Sequence, residues 1–150
     1  MGLSDGPVHA ELRLAPTGAH LIEVAARTIG GLCSRALRFG TGTSLEEIVI
    51  RHAMDLPPAS TTREEAAAGV MMIPIPKAGV LAEVSGIDDA KAVPGIEDVV
   101  ITAHERRLVP LPEGKAYLGF IFARGASPSF VEEALRTAHR RLDLRIRATL

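Results

Sequence analysis

The sequence predicts an α+β protein in two parts. Three observations carry this. Short alternating runs occur near both ends, "VHAELRL" (8–14) and "DLRIRA" (143–148). Two helices open with capping boxes, "TSLEEIVIRHAM" (43–54) and "SPSFVEEALRTAHRRL" (127–142). Between them "DLPPASTTREE" (55–65) has the composition of a linker. The predicted domains are therefore residues 1–58 and 66–150.

The first run puts Val8, Ala10, Leu12 and Leu14 on one face and His9, Glu11 and Arg13 on the other, the period of a strand. "PTG" (16–18) reads as a three-residue turn with Gly18 at positive φ, and "HLIEVA" (20–25) as the returning strand. "GGLCSRALRFG" (30–40) reads as a short helix stopped by Gly40. The helix over 43–54 has Ser44 as cap and Glu47 three residues on.

In the second part, "GVMMIPIPK" (69–77) and "GVLAEVSG" (79–86) read as a strand pair joined at Lys77–Ala78. "DDAKAVPG" (88–95) reads as a short helix, "DVVITA" (98–103) as a strand and "LVPLPEGK" (108–115) as a proline-rich turn. "AYLGFIFARG" (116–125) is a strongly apolar strand. The last helix carries Ser129 with Glu132 as a capping box. Its apolar stripe is Phe130, Val131, Ala134, Leu135, Ala138 and Leu142.

Composition removes several classes of function. The chain has 150 residues, 47% hydrophobic and 23% charged, with net charge -1. No basic surface is predicted for nucleic acid or a membrane, and an aromatic content of 3% with no tryptophan weakens base stacking. No apolar run approaches the ~20 residues of a membrane span. The single cysteine, Cys33, forms no disulfide within the chain, which fits a cytoplasmic protein. It reads as core, since no histidine base is evident near it. The basic clusters "HERR" (104–107) and "HRRLDLRIR" (139–147) read as solvated faces, and the histidines have no metal-ligand spacing.

The informative stretch is "LIEVAARTIGG" (21–31), where Glu23 interrupts an apolar strand. With a loop at 16–18, paired residue numbers sum to 34, and Glu11 faces Glu23. Like charges in facing positions destabilise a sheet unless compensated. One carboxyl can stay protonated, arginines can bridge the pair, or a divalent cation can sit between them. Oxygen-only ligands favour a hard cation such as Mg²⁺. On spacing alone, the plain reading is two solvent-facing acids balanced by Arg13 and Arg27.

The run from Gly2 to Met54 resembles the end of the ATP-grasp domain. Glu11 and Glu23 match that superfamily's two metal-binding acids, and Arg27 matches its phosphate- or acyl-phosphate-contacting arginine. Gly30 and Gly31 match the glycine pair whose amides approach substrate, and Gly42, Ser44 and Leu45 match the following helix start. Ala25 stands where the superfamily usually has an asparagine, commonly a third metal contact. Residues 66–150 are similar to the C-terminal lobe of ATP-grasp carboxylate–amine ligases, particularly the L-amino acid ligase and biotin carboxylase-like branches.

The resemblance implies a ligase that activates a carboxylate with ATP and passes the acyl phosphate to an amine or similar nucleophile. It implies Mg²⁺ (or Mn²⁺) held by Glu11 and Glu23, Arg27 as the catalytic residue, and Arg13, Gly30 and Gly31 as cofactor-binding residues. His9 is expected only to fill the rim. The adenine-binding part, the Gly-rich loop and the ATP-binding lysines of such enzymes find no match here. The chain alone is therefore expected to be inactive and to need an N-terminal ATP-grasp half or a partner chain; a homo-oligomer is also compatible. The alternative is a non-catalytic binding or oligomerisation module left from a degenerate ATP-grasp protein. A stand-alone Mg²⁺-dependent hydrolase has only the two facing acids in its favour.

Overall fold

The computed structural model describes residues 2, 4–103 and 107–148. The chain forms two compact units, 1–64 and 65–150. The "HERR" cluster lies largely outside the described residues. No helix among the described residues is long and apolar enough to cross a membrane.

The first unit opens with an antiparallel hairpin, β1 (His9–Ala15) and β2 (Gly18–Ala25). The loop has two residues, Pro16 and Thr17, because Gly18 already pairs with Ala15. Gly18 does take positive φ, 122°. Numbers sum to 33 near the turn, as in Leu12↔Leu21 and Arg13↔His20, and to 34 beyond a register shift between Glu11 and Leu12. Ile22 is the extra residue of this bulge.

The helix expected over 30–40 is only a 3₁₀ turn, Cys33–Ala36. The chain then extends into β3 (Arg38–Phe39), which pairs with β4 (Thr43–Ser44) around Gly40 and Gly42. Pairing with β4 leaves too few residues after Gly31 for a longer helix. Helix α1 (Leu45–Ala53) follows, and the Ser44 hydroxyl accepts from the Glu47 N–H, as its capping box predicts. The expected linker over 55–65 is only partly a free connector. Residues 62–64 lie against β3, with Gly40 N–H donating to the Thr62 carbonyl and Glu64 N–H to that of Arg38.

The second unit holds two three-stranded antiparallel sheets. One has the order β5 (Ala67–Ile73), β9 (Gly119–Gly125), β7 (Ile96–Ile101); the other has β10 (Asp143–Arg147), β6 (Gly79–Ser85), β8 (Arg107–Leu108). The expected β5–β6 hairpin does not form. Pro74 and Pro76 follow β5 and donate nothing to a ladder, and the chain passes to the other sheet. Central β9 is buried over Gly119–Ala123, which explains its unbroken apolar run.

Helix α2 (Ile87–Lys91) packs on β7 and on α3 (Pro128–Arg141). Helix α3 covers β5 and β9 through Val131, Ala134, Leu135 and Ala138. Phe130, expected in the stripe, is 44% exposed and lies over Gly95 and Gly125. The cap of α3 is Ser127, whose hydroxyl accepts from the Phe130 N–H, and not Ser129. Pro128 explains the shift, since it suits the first helical position and keeps the preceding residue extended. The continuous core runs from Ile73 to Ile146 and belongs to this unit.

Candidate functional site

The β1–β2 hairpin has a polar and an apolar face. Odd-numbered residues of β1 share a face: His9 opposite Ala25, Glu11 opposite Glu23, and Arg13 opposite His20. The bulge at Ile22 is what sets this pairing. Without it, Glu11 would face Ile22, and Glu23 would turn to the apolar side.

Arg27, just beyond β2, reaches back over this face. Its Nη2 lies 3.8 Å from Glu23 Oε1, and its Nη1 lies 3.3 Å from His9 Nδ1 and donates to the Thr28 carbonyl at 3.0 Å. Both partners of the Arg27–Glu23 pair are about half exposed, so it contributes little stability. Among the described residues, no hydrogen bond or ion pair engages the Glu11 side chain.

The glycine pair follows Arg27. Gly31 has φ of 63°, which suits only glycine without strain. A Cβ at Gly30 would meet only Arg27 Nη1, at 3.9 Å, so the backbone there is open on that side. The chain then enters the 3₁₀ turn, where Ser34 is buried. The Ser34 side chain hydrogen-bonds Glu46 in the first turn of α1, and this bond is the largest cause of a Glu46 carboxyl below its ordinary range. Burial pushes the Cys33 thiol up, as expected of a packed and unreactive cysteine.

The structure thus brings Glu11, Glu23 and Arg27 together and adds His9 to them. Arg13 faces His20, one pair further toward the turn, and His20 Nε2 lies 2.9 Å from Thr17 Oγ1. The Ser34–Glu46 contact has no signal in spacing, because it joins two elements twelve residues apart. The His9–Arg27 contact was missed, because His9 was expected only to fill the rim; its place on the strand face of Glu11 is the signal that could have found it. Among the described residues, no group of three or more histidines, cysteines or acids could hold a metal ion alone.

Comparisons with known proteins agree with this architecture. The chain is similar to the L-amino acid ligase of Bacillus licheniformis, with 24% identity and a TM-score of 0.76 over 97% of this chain. It is similar to N5-carboxyaminoimidazole ribonucleotide synthetase from Thermotoga maritima, with 20% identity and a TM-score of 0.66 over 93%. Phosphoribosylglycinamide synthetase from Anaerococcus prevotii gives 14% identity and a TM-score of 0.74 over 93%. The chain spans 37% of the length of each of these structures. No curated protein matches it by sequence. The fold is that of the C-terminal part of ATP-grasp ligases. The family model of L-amino acid ligase C-terminal domain 2 matches residues 71–147, just over half of the sequence, and the chain belongs to that family.

Proposed function

We propose that this chain is the C-terminal portion of an ATP- and Mg²⁺-dependent ligase that joins a small carboxylate to an amine through an acyl phosphate. The observation that carries this reading is the Glu11–Glu23 pair with Arg27 folded back over it. Two acids facing each other at an exposed position are a cost without a ligand and an asset with one.

The donor set fits a hard cation. Two carboxylates fall short of a complete protein cage, but Mg²⁺ takes one or two carboxylates and completes its shell with water and substrate phosphates. Glu11 and Glu23 would hold the ion, whose contribution is to neutralise phosphate charge. Arg27 would bind the transferred phosphoryl group or the substrate carboxylate, and its Glu23 and His9 contacts hold it ready for that task. Arg13 is the weaker second anion contact. The amides at Gly30 and Gly31 would approach the substrate where no side chain intervenes. Ala25 offers no donor in place of the superfamily's asparagine.

The adenine-binding part would come from a preceding segment or a partner chain. The apolar face of the hairpin supports a covering partner, with Leu12, Leu14 and Leu21 all more than half exposed, as is the bulged Ile22. A two-stranded ribbon is marginal without such cover. The same exposure is what a non-catalytic association module would present.

Calorimetric titration with Mg²⁺ and ATP separates the readings. The chain is titrated alone and mixed with a polypeptide carrying the ATP-binding half of a ligase of this family. Binding and ATP turnover only in the mixture, lost on Glu23→Gln, support the ligase. Association of the two polypeptides without nucleotide binding would leave the association module.

A further inference from the structure

A cavity of about 330 Å³ opens in the second unit, between β8 and the loop that leads into β9. Its floor is apolar: Ile75, Ala103 and Leu108 are 8%, 5% and 2% exposed. Its rim is charged, with Arg107, Glu113 and Lys115 all exposed and lining it. The loop is tightly built. Gly114 N–H donates to the Pro110 carbonyl at 2.8 Å, and a Cβ at 114 would fall on the Val109 carbonyl oxygen. Only glycine fits there, and it fixes where the neighbouring Glu113 and Lys115 leave the chain. Among the described residues, no side-chain hydrogen bond or ion pair engages Arg107, Glu113 or Lys115.

We propose that this cavity binds a small monocarboxylate with an apolar body. The carboxylate would lie against Arg107 and Lys115, and the body on the floor of Ile75, Ala103 and Leu108. Among the described rim residues, two cations stand against one acid, which favours a single negative charge, whereas Glu113 opposes a polyanion. An inorganic anion would leave the apolar floor wet, and a neutral apolar molecule would leave both cations without a partner. The volume lies near the lower end of ordinary ligand pockets, roughly 300–1,000 Å³, which suits a ligand of amino-acid size. The proposal is independent of the ligase reading, because it uses none of the residues of the β1–β2 hairpin.

The test is a backbone-amide NMR titration of the full 150-residue chain. The probes are 4-methylpentanoate, 4-methylpentanamide (the same body without charge) and inorganic phosphate (charge without body). Saturable shifts confined to the cavity lining are expected with 4-methylpentanoate. Lys115→Gln and Arg107→Gln should each weaken binding about tenfold, the loss of one charge-assisted contact. Both side chains are exposed, so the unperturbed remainder of each variant's spectrum reports that it is folded. Lys115→Arg should restore most of the affinity. Equal binding of the amide or of phosphate, shifts spread away from the cavity, or no saturable shift would each overturn the proposal.

Discussion

Glu11 and Glu23 stand directly opposite each other because β2 gives up one residue, Ile22, to a bulge. Facing residues on adjacent strands hold their Cβ atoms roughly 4.5–5.5 Å apart. The hairpin therefore places two carboxylate side chains at facing positions, and among the described residues Arg27 pairs with Glu23, at 3.8 Å.

This pair predicts a change of sign with the cation. In chelator, Glu11→Gln relieves the repulsion and should stabilise the hairpin by about 0.2–1 kcal/mol, less at high salt because the site is exposed. In Mg²⁺ the wild type should gain stability and the variant should not, since binding to the folded state alone stabilises by mass action. Hydrogen exchange of the β1 and β2 amides, read in both conditions, checks it. A hairpin that opens more readily in the variant even in chelator would mean that the two acids do not repel.

The facing acids were legible in the sequence for a partly accidental reason. A three-residue loop at 16–18 and a uniform register place Glu11 against Glu23. The molecule instead uses a two-residue loop and one bulged residue, and the two differences cancel at Glu11. They do not cancel near the turn, where Arg13 faces His20 and not Leu21. Alternation and capping chemistry are local, so the longer strands and the cap of α1 could be read directly, whereas the two-residue strands β3, β4 and β8 could not. Partner choice among strands is not local. Nothing in "IPIPK" says that β5 pairs with β9, fifty residues on, and not with the adjacent β6.

Gly119 sits in central β9, and a Cβ there would fall on the Val100 carbonyl oxygen of β7. That neighbour is backbone and cannot rotate away. Gly119→Ala should cost about 1–3 kcal/mol through overpacking. Urea denaturation of the second unit should report it as a lower midpoint at an unchanged slope. At Gly125 the blocking group is the Phe130 ring, which can turn, so Gly125→Ala should cost less. Equal losses at the two sites would count against this account.

Two serines compete for the role of cap at the start of α3, and the geometry separates them. Ser127 accepts from the Phe130 N–H at 3.3 Å, whereas Ser129 only touches the Ser127 hydroxyl at 3.2 Å. Ser127→Ala should cost about 1 kcal/mol, within the usual range for a lost cap. Ser129→Ala should stay within ~0.5 kcal/mol, as for an ordinary surface change. Denaturation midpoints of the two variants decide between them, and a larger loss at Ser129 would restore the capping box expected from its spacing with Glu132.

The Ser34–Glu46 contact gives the first unit a dependence on pH. The Ser34 hydroxyl bond is the largest of the causes that hold the folded carboxyl below its ordinary value of 4.5. A carboxyl lowered on folding contributes stability that is present above its unfolded value and lost as pH falls through its folded value. The contact should therefore help hold the 3₁₀ turn, and with it the Gly30–Gly31 segment, at neutral pH and release it in acid. Ser34→Ala should raise the Glu46 carboxyl toward 4.5 and flatten the acid limb of the first unit's stability. Carboxyl-carbon NMR titration of Glu46 in wild type and variant measures the first effect. Amide exchange of residues 32–37 between pH 6 and pH 3 measures the second. A Glu46 titration that Ser34→Ala leaves unmoved would mean that the backbone at the start of α1, and not the buried hydroxyl, holds the carboxylate.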